Sequence, residues 1–370
     1  MRANNVLGIV YSNSYDESLS ELTARRTMGS VPFGGRYRLI DFVLSDMVNS
    51  GICKVGVITN SNFRSLMDHI GNGKPWDLAR KNGGLYMFPP FNAAQTGTGG
   101  RIGALNRILS FISSSIEEYV LLSDTNTVYN MDFEQMFDYH TSTGADITIL
   151  ANTGKKPNLN NIMTLSCDDT MRVTGVALAP NTVDEVLYST NTILMRKALL
   201  ERLIRDAESF GFDSFENDII RKQVDKLCIR CYKAPGFCCT IDSLVAYYNA
   251  NLELLLPAAR SDLFCKDRPV YTKIRNDMPV IYGLGSNVSN SLVSDGCKIA
   301  GIVENSVLSR GVCVEKGAVV KNCILMQDTR VCEKASLNCI ITDKSVTVTP
   351  HRILAGESSF PVYVSKGIVI

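Results

Sequence analysis

Apolar runs and helical stripes alternate along roughly the first 250 residues. The short apolar runs at residues 6–10, 54–59 and 119–122 are typical of buried strands, and residues 36–50 carry apolar side chains at helical spacing. Alternation of this kind predicts an α/β fold, in which a mostly parallel sheet has helices on both faces. Ligands of such sheets bind at the carboxyl ends of the strands, so we expect functional residues in the loops that follow these runs.

The pattern changes at about residue 280, where short apolar pairs begin to recur roughly every six residues. Small or turn-forming residues separate the pairs, and Gly296, Gly311 and Gly317 punctuate the series. Such a pattern is typical of a hexapeptide β-helix, in which each coil buries its apolar face only by stacking on its neighbours. We therefore predict an α/β domain over 1–256, a linker over 257–279 and a β-helix over 280–370.

Composition narrows the class of protein. The chain has 38 Lys and Arg against 37 Asp and Glu, so charge provides no argument for binding nucleic acid or an anionic membrane. No apolar run approaches the roughly 20 residues of a transmembrane helix, and the N-terminus lacks a signal-peptide pattern. We expect a cytoplasmic protein with more than one domain that binds neither nucleic acid nor membranes.

The twelve cysteines include a group with zinc-like spacing, namely Cys228, Cys231, Cys238 and Cys239. The segment 227–232 has the pattern of a strand, in which residues three apart point to opposite faces. A zinc knuckle needs a turn at this point, and no glycine provides one. We therefore favour reduced, buried thiols over a zinc site.

Residues 31–42 read VPFGGRYRLIDF, which closely resembles a motif of bacterial ADP-glucose pyrophosphorylases, also called glucose-1-phosphate adenylyltransferases. Residues 49–52 and 129–133 extend this resemblance, which covers essentially the whole chain. It implies a Rossmann-like nucleotidyltransferase domain followed by a left-handed β-helix. It also implies transfer of AMP from ATP to glucose 1-phosphate, with Mg²⁺, in bacterial glycogen synthesis.

Several charged positions of this family are replaced by neutral residues. Counting from the motif, the substituted positions are Ser18 for the phosphate-loop arginine, Met28 for a lysine, Asn126 and Ser214 for two metal-binding aspartates, and Ala179 for the sugar-phosphate lysine. A shift of two residues would let Asp124 replace Asn126, so Asp124 stays a candidate metal ligand. Removing one preorganised charge typically costs about 2.7–4 kcal/mol in the barrier. We expect a catalytically impaired chain without a cofactor of its own, and Mg²⁺ in its catalytic partner.

Basic residues survive beside the altered positions. Arg25, Arg26 and Arg38 correspond to positions that the resemblance assigns to an allosteric pocket for phosphorylated metabolites between the two domains. Arg352 could join this pocket from the β-helix. In a second interpretation the arginines are solvated or paired, for example Arg38 with Asp41. Both interpretations stay open at this level.

Within this family the chain most resembles GlgD-type subunits, and this resemblance implies that it is a regulatory subunit. Such a subunit assembles with a catalytic ADP-glucose pyrophosphorylase subunit, and we expect a heterotetramer. One alternative is an active sugar-nucleotide pyrophosphorylase whose rearranged site uses Asp124 together with Asp16 and Glu17. An acyltransferase fits less well, since β-helix enzymes of that class usually use a histidine within the repeat and His351 lies at its end.

Overall fold

A computed structural model describes residues 5–90, 100–178, 185–212 and 214–370. Within these ranges, the N-terminal domain is built on a nine-stranded sheet, beside a small hairpin (β2 and β3) and a second two-stranded sheet (β7 and β13). The strands are β1 (Val6–Tyr11), β2 (Pro32–Phe33), β3 (Tyr37–Arg38), β4 (Lys54–Ile58), β5 (Gly84–Phe88), β6 (Tyr119–Asp124), β7 (Thr127–Tyr129), β8 (Ile147–Lys155), β9 (Thr164–Cys167), β10 (Val173–Ala177), β11 (Glu185–Arg196), β12 (Ile229–Lys233) and β13 (Cys238–Thr240).

Parallel strands form the centre of the main sheet, in the order β6–β1–β4–β5. Strand β11 runs antiparallel between β6 and β8, and β12 pairs in parallel with β8. The predicted α/β sheet is therefore confirmed. The strand predicted at 227–232 is β12, and it buries the side chain of Cys231.

Helices cover both faces of the main sheet. They are α1 (Ser20–Thr23), α2 (Leu39–Asn49), α3 (Arg64–Ile70), α4 (Gly100–Arg107), α5 (Leu109–Ser113), α6 (Phe133–Ser142), α7 (Lys197–Phe210), a π-helix (Phe215–Arg221), α8 (Leu244–Glu253) and α9 (Pro257–Leu263). Successive side chains of a strand point to opposite faces. Accordingly Leu7 of β1 packs in a core with α4, α5 and α7, whereas Val6 packs in a second core with α2 and α6. No helix in the described ranges is both long and apolar enough to cross a membrane.

The C-terminal domain consists of three five-stranded parallel sheets, and each coil of the chain adds one strand to each sheet. The strands are β14 (Ile281–Tyr282), β15 (Asn287–Ser289), β16 (Leu292–Val293), β17 (Lys298–Ile299), β18 (Ile302–Glu304), β19 (Val307–Leu308), β20 (Cys313–Val314), β21 (Val319–Lys321), β22 (Ile324–Leu325), β23 (Arg330–Val331), β24 (Ser336–Asn338), β25 (Ile340–Thr342), β26 (Thr347–Val348), β27 (Ile353–Ala355) and β28 (Val362–Val364). This arrangement confirms the β-helix that was predicted from the repeat, and it agrees with the left-handed form that the resemblance implies.

Left-handed backbone conformations turn the corners of the β-helix. Between the second and third sheets, successive coils place Asn290, Asn305, Asn322 and Cys339 at positive φ. Asparagine tolerates this region better than most residues, which explains its recurrence at this corner. The Asn290 amide also donates to the Asn305 side chain at 2.7 Å, so the turns are linked from coil to coil.

The two domains share one hydrophobic core. Phe33 and Tyr247 of the N-terminal domain lie in the same buried cluster as Ile324, Met326 and Ile341 of the β-helix. The segment 257–279, predicted as a linker, begins with α9 and then continues against α2, where the backbone N–H of Tyr271 donates to Ser45 Oγ at 2.8 Å. The connection is thus packed against the N-terminal domain rather than free.

Candidate functional site

The carboxyl ends of β1, β4 and β6 meet at a cavity of about 270 Å³, at the edge where ligand-binding loops were expected. Residues 13–15 after β1 and residues 58–60 at the end of β4 line one part of it. Arg101 of α4 and Glu216 of the π-helix line another part. The sequence therefore predicted the place of this site but not its whole set of residues.

The loop after β1 turns its acidic residue inward. The Asp16 carboxylate accepts hydrogen bonds from the Met28 backbone N–H at 2.7 Å and from Asn13 Nδ2 at 2.6 Å. Burial raises the pKa of Asp16 to about 7. Glu17 is exposed, and Ser18 lines a neighbouring polar cavity of about 450 Å³. A glycine-rich loop would offer backbone N–H groups to a phosphate, whereas here Asp16 takes the N–H of Met28.

Asp124 lies at the end of β6, where its buried carboxylate has three polar contacts. Arg101 Nη2 lies 2.7 Å from Oδ2 of Asp124, and Asn191 Nδ2 donates to the same oxygen at 3.1 Å. Ser14 Oγ donates to Oδ1 at 2.8 Å. Arg101 Nε also lies 3.2 Å from Oε1 of Glu216. Burial raises the pKa of both carboxyl groups, and the Arg101 guanidinium opposes that rise.

The positions at which the resemblance predicts a loss of charge lie in different surroundings. Met28 is fully buried in the core shared with the β-helix. Asn126 is also buried, and within the described part of the chain neither atom of its amide has a hydrogen-bond partner. Ser214 caps the π-helix by accepting from the Asn217 backbone N–H at 3.1 Å. Ala179 lies outside the described residues.

These residues do not fit the divalent metal ion that the resemblance implies for active members. Mg²⁺ is held by carboxylate and other oxygen ligands. The carboxylates of Asp124 and Glu216 are both paired with Arg101, and that of Asp16 accepts hydrogen bonds from within its own loop and from Met28. Asn126 and Ser214 are neutral. In the described ranges, His, Cys, Asp and Glu side chains nowhere form a group of three suited to a metal ion.

A second cavity, of about 250 Å³, lies between the two domains. The basic side chains that line it come from the N-terminal domain, the connecting segment and the β-helix, and they are Arg36, Arg38, Lys273, Arg275, Arg310 and Lys344. Asp and Glu are absent from its lining as the structure describes it. Arg275 Nε and Arg310 Nε lie 3.5 and 4.0 Å from a single carboxylate, that of Asp277.

Burial destabilises the charged forms of cations in this interdomain pocket, and repulsion between neighbouring cations adds to that effect. Burial, followed by repulsion from Arg38 and Arg26, lowers the pKa of Lys344 to about 7. Burial is also the main cause that lowers the pKa of Arg38 to about 10. His69 lies 2.5 Å from Asp41, yet burial outweighs that carboxylate and lowers the pKa of the imidazole. An anion in the pocket would relieve this repulsion.

The four arginines considered as effector ligands have different environments. Arg38 lines the interdomain pocket, and its guanidinium donates from Nη1 to the Ser65 carbonyl at 2.7 Å, whereas its backbone N–H donates to Asp41 Oδ2 at 3.0 Å. Arg26 is buried and its Nη2 donates to both oxygens of Asp343 at 2.7 Å. Arg25 is exposed and outside the lining of the pocket.

Arg352 is also exposed and away from the interdomain pocket. It precedes β27, at the corner between the first and second sheets. The pocket lies at another corner, after the strands of the third sheet, where Arg310 follows β19 and Lys344 follows β25. The fold of the coils therefore separates Arg352 from Arg38.

Sequence analysis missed most of the residues that form these two cavities. Arg101, Glu216 and Asp124 lie on three separate elements, and the fold brings their side chains together. Their positions in the sequence therefore form no motif that would indicate a common site. A weak signal was present in the β-helix, because Arg310, Gln327 and Lys344 occupy equivalent positions in successive coils. Aligning the coils would have shown that they face the same corner.

Comparison with known proteins identifies the family. A model described as "Nucleotidyl transferase" matches residues 15–225, and one described as "GlmU-like, C-terminal hexapeptide" matches residues 282–358. The chain is 34% identical to "Glycogen biosynthesis protein GlgD" of Bacillus subtilis (strain 168), over 99% of this chain and 97% of that protein. The protein of the same description from Geobacillus stearothermophilus is 36% identical over the same shares.

A third relative carries an enzyme name. It is "Glucose-1-phosphate adenylyltransferase" of Thermosipho africanus (strain TCF52B), 32% identical over 86% of this chain and 78% of that protein. The ranges that the two models match lie within the α/β domain and the β-helix, respectively. The chain therefore belongs to the nucleotidyl transferase family, in the group that contains GlgD proteins and glucose-1-phosphate adenylyltransferases.

Proposed function

We propose that this chain is a regulatory, catalytically impaired subunit of a glucose-1-phosphate adenylyltransferase. The complete enzyme makes ADP-glucose and pyrophosphate from ATP and glucose 1-phosphate in glycogen biosynthesis, and we place this function in the cytoplasm. The observation that carries the proposal is a contrast between two sites of one fold. At the carboxyl edge, the described carboxylates of Asp124 and Glu216 are both paired with Arg101, whereas the pocket between the domains is lined by six basic side chains.

The first support is the chemistry that nucleotidyl transfer requires. Stabilising a transferring phosphoryl group needs preorganised cations and a metal held by carboxylates. Here Met28 is in the core, Asn126 is neutral, and Asp124 is occupied by Arg101. Losing one such charged group typically raises the activation barrier by about 2.7–4 kcal/mol. The effects of several losses at one active site are not additive, because the groups act together.

The second support is the interdomain pocket, which suits a phosphorylated metabolite. Guanidinium groups form two parallel hydrogen bonds with phosphate, and the pocket presents four arginines beside two lysines. Because residues of both domains line it, an anion there would bind differently to two arrangements of the domains. Such a difference in affinity is what an allosteric response requires, typically about 1–3 kcal/mol.

The partner in this proposal is a catalytic subunit that carries the Mg²⁺ chemistry, and the assembly is a heterotetramer. The decisive experiment co-expresses both chains and assays ADP-glucose formation by the isolated chain, the isolated partner and the co-purified complex. We expect very low activity of the isolated chain and an altered effector response of the complex. Strong activity of the isolated chain would favour an active enzyme with a rearranged site, and failure to co-purify would remove the regulatory role.

The effector pocket can be tested within the same complex. The double change of Arg38→Ala and Lys344→Ala should weaken activation by a phosphorylated metabolite, because both side chains line the pocket. Assembly should be retained, as judged by co-purification. Arg25→Ala is the matched control, since Arg25 is exposed and outside the pocket. An unchanged activation curve of the double variant would exclude this pocket but not the regulatory role.

The proposed impairment predicts how activity can be regained. The charge-restoring changes are Ser18→Arg, Met28→Lys, Asn126→Asp, Ala179→Lys and Ser214→Asp. Combined, they should raise activity more than any single change, because phosphate and metal ligands act as a unit. Circular dichroism of the combined variant is required as a control, since Met28 is fully buried.

A further inference from the structure

The ion pairs of Arg101 at the carboxyl edge are built into the fold. The Arg101 side chain is 8% exposed, and those of Asp124 and Glu216 are 0% and 3% exposed. The three residues come from the first turn of α4, the end of β6 and the π-helix. The guanidinium also lies over the ring of Tyr11, with 4.7 Å between its carbon and the ring centroid. Three elements and an aromatic face therefore fix its position.

Two buried carboxylates that are both ionised require a cation close to them. In a low-dielectric site an isolated ionised carboxylate is unstable, so it pairs, binds a metal or keeps its proton. Divalent ions such as Mg²⁺ and Mn²⁺ prefer carboxylate oxygens, supplemented by hydroxyl or carbonyl oxygens and water. Asp124 and Glu216 present such oxygens to a single guanidinium, and the Ser14 hydroxyl lies 2.8 Å from the other carboxylate oxygen of Asp124.

We propose that Arg101 is a built-in cation that replaces a divalent metal ion between Asp124 and Glu216. The isolated chain then folds without a metal ion and binds neither Mg²⁺ nor Mn²⁺ at this edge. Removing the guanidinium leaves two buried carboxylates and creates a divalent-cation site. This inference is independent of the proposed regulatory role, because metal binding is measured on the isolated chain without an activity assay.

The test uses Mn²⁺ as the probe and Arg101→Met as the variant. Methionine keeps an unbranched side chain but carries no charge. Free Mn²⁺ is measured by electron paramagnetic resonance during titration of each protein. We expect Arg101→Met to bind one Mn²⁺ at least about tenfold more tightly than the wild type. Mn²⁺ should also raise the melting temperature of the variant above its value in EDTA, and leave that of the wild type unchanged.

Two control variants test whether the gained Mn²⁺ binding results from the lost charge of Arg101 and uses Asp124 and Glu216 as ligands. Arg101→Lys retains a cation and should bind Mn²⁺ no more tightly than the wild type. Adding Asp124→Asn and Glu216→Gln to Arg101→Met should abolish the gained Mn²⁺ binding, because both anionic ligands are then neutral.

Two outcomes would overturn the inference. One is a folded Arg101→Met variant with the Mn²⁺ affinity of the wild type. The other is Mn²⁺ binding by the wild type that Asp124→Asn or Glu216→Gln abolishes, which can be measured even where Arg101→Met fails to fold. Neither outcome bears on co-purification with a catalytic subunit, so failure of this inference and failure of the proposed function are distinguishable.

Discussion

Arg25 and Arg26 are neighbours in the sequence with opposite environments. Arg25 is exposed, whereas Arg26 is 3% exposed and binds both oxygens of Asp343, 317 residues further along the chain. Tyr363 donates to the same carboxylate at 3.0 Å. The pair joins the N-terminal domain to the β-helix, so at this position the arginine acts as a connection between domains.

This difference predicts unequal effects of the same substitution. Arg26→Met leaves Asp343 buried without its cation, and it should lower the free energy of unfolding by about 3–5 kcal/mol. Arg25→Met changes an exposed side chain, and it should alter stability by less than about 0.5 kcal/mol. Urea denaturation of the two variants and the wild type measures both values. Equal effects of the two substitutions would contradict the buried ion pair.

Lys344 makes stability depend on pH. Burial and nearby arginines lower its pKa to about 7, from about 10.4 in an unfolded chain. Between these values the unfolded chain binds more protons than the folded chain, so the contribution of Lys344 to stability rises with pH from about 7 to 10. The slope approaches about 1.4 kcal/mol per pH unit.

Replacing Lys344 by methionine should remove that dependence and increase stability near pH 7 in the absence of an anion. Unfolding free energies of Lys344→Met and the wild type, measured at intervals from pH 6 to 10, provide the comparison. The difference between the two proteins removes contributions from other groups, such as Asp16, whose pKa is also about 7. Parallel profiles of the two proteins would contradict the lowered pKa of Lys344.

Elements of the β-helix depend on close stacking of successive coils. A Cβ atom on Gly301, which directly precedes β18, would overlap the Ala318 carbonyl oxygen and lie 2.8 Å from the Glu315 carbonyl oxygen. These are backbone atoms of the next coil and cannot move as a side chain can. Glycine at this position is therefore needed for the approach of one coil to the next.

Accordingly Gly301→Ala should lower the free energy of unfolding by about 1–3 kcal/mol, the usual cost of overpacking. Gly175→Ala on β10 is the matched control, since its Cβ would meet its nearest neighbour, in Ser166, at an ordinary 3.6 Å. Thermal unfolding of both variants distinguishes the two positions. A Gly301→Ala protein as stable as Gly175→Ala would show that the coils are packed less tightly than described.

At the scale of the whole molecule, the shared core predicts that the two domains unfold together. Phe33 and Tyr247 cannot lose contact with Met326 and Ile341 unless both domains expose apolar surface. We expect one transition in differential scanning calorimetry, with equal calorimetric and van't Hoff enthalpies. Two separated transitions would show that each domain is stable without the other.

Sequence alone determined the features that rest on local periodicity. The apolar runs predicted β1, β4 and β6, and the change of repeat near residue 280 predicted the β-helix. The loops after these runs were expected to hold ligand-binding residues, because ligands bind at the carboxyl ends of parallel strands, and a cavity lies at that edge. The motif at residues 31–42 then indicated the family that the comparisons show.

Only the tertiary structure decided which charges meet. Arg101 forms ion pairs with Asp124 and Glu216, and Arg26 forms one with Asp343. These residues are so far apart in the sequence that no pattern of residue types indicates the pairs. Whether an arginine is solvated, forms an ion pair or lines a pocket depends on which other charges the folded chain brings near it, and on burial in a low dielectric. Hydrophobic periodicity is a property of neighbours along the chain, whereas electrostatic pairing is a property of neighbours in space.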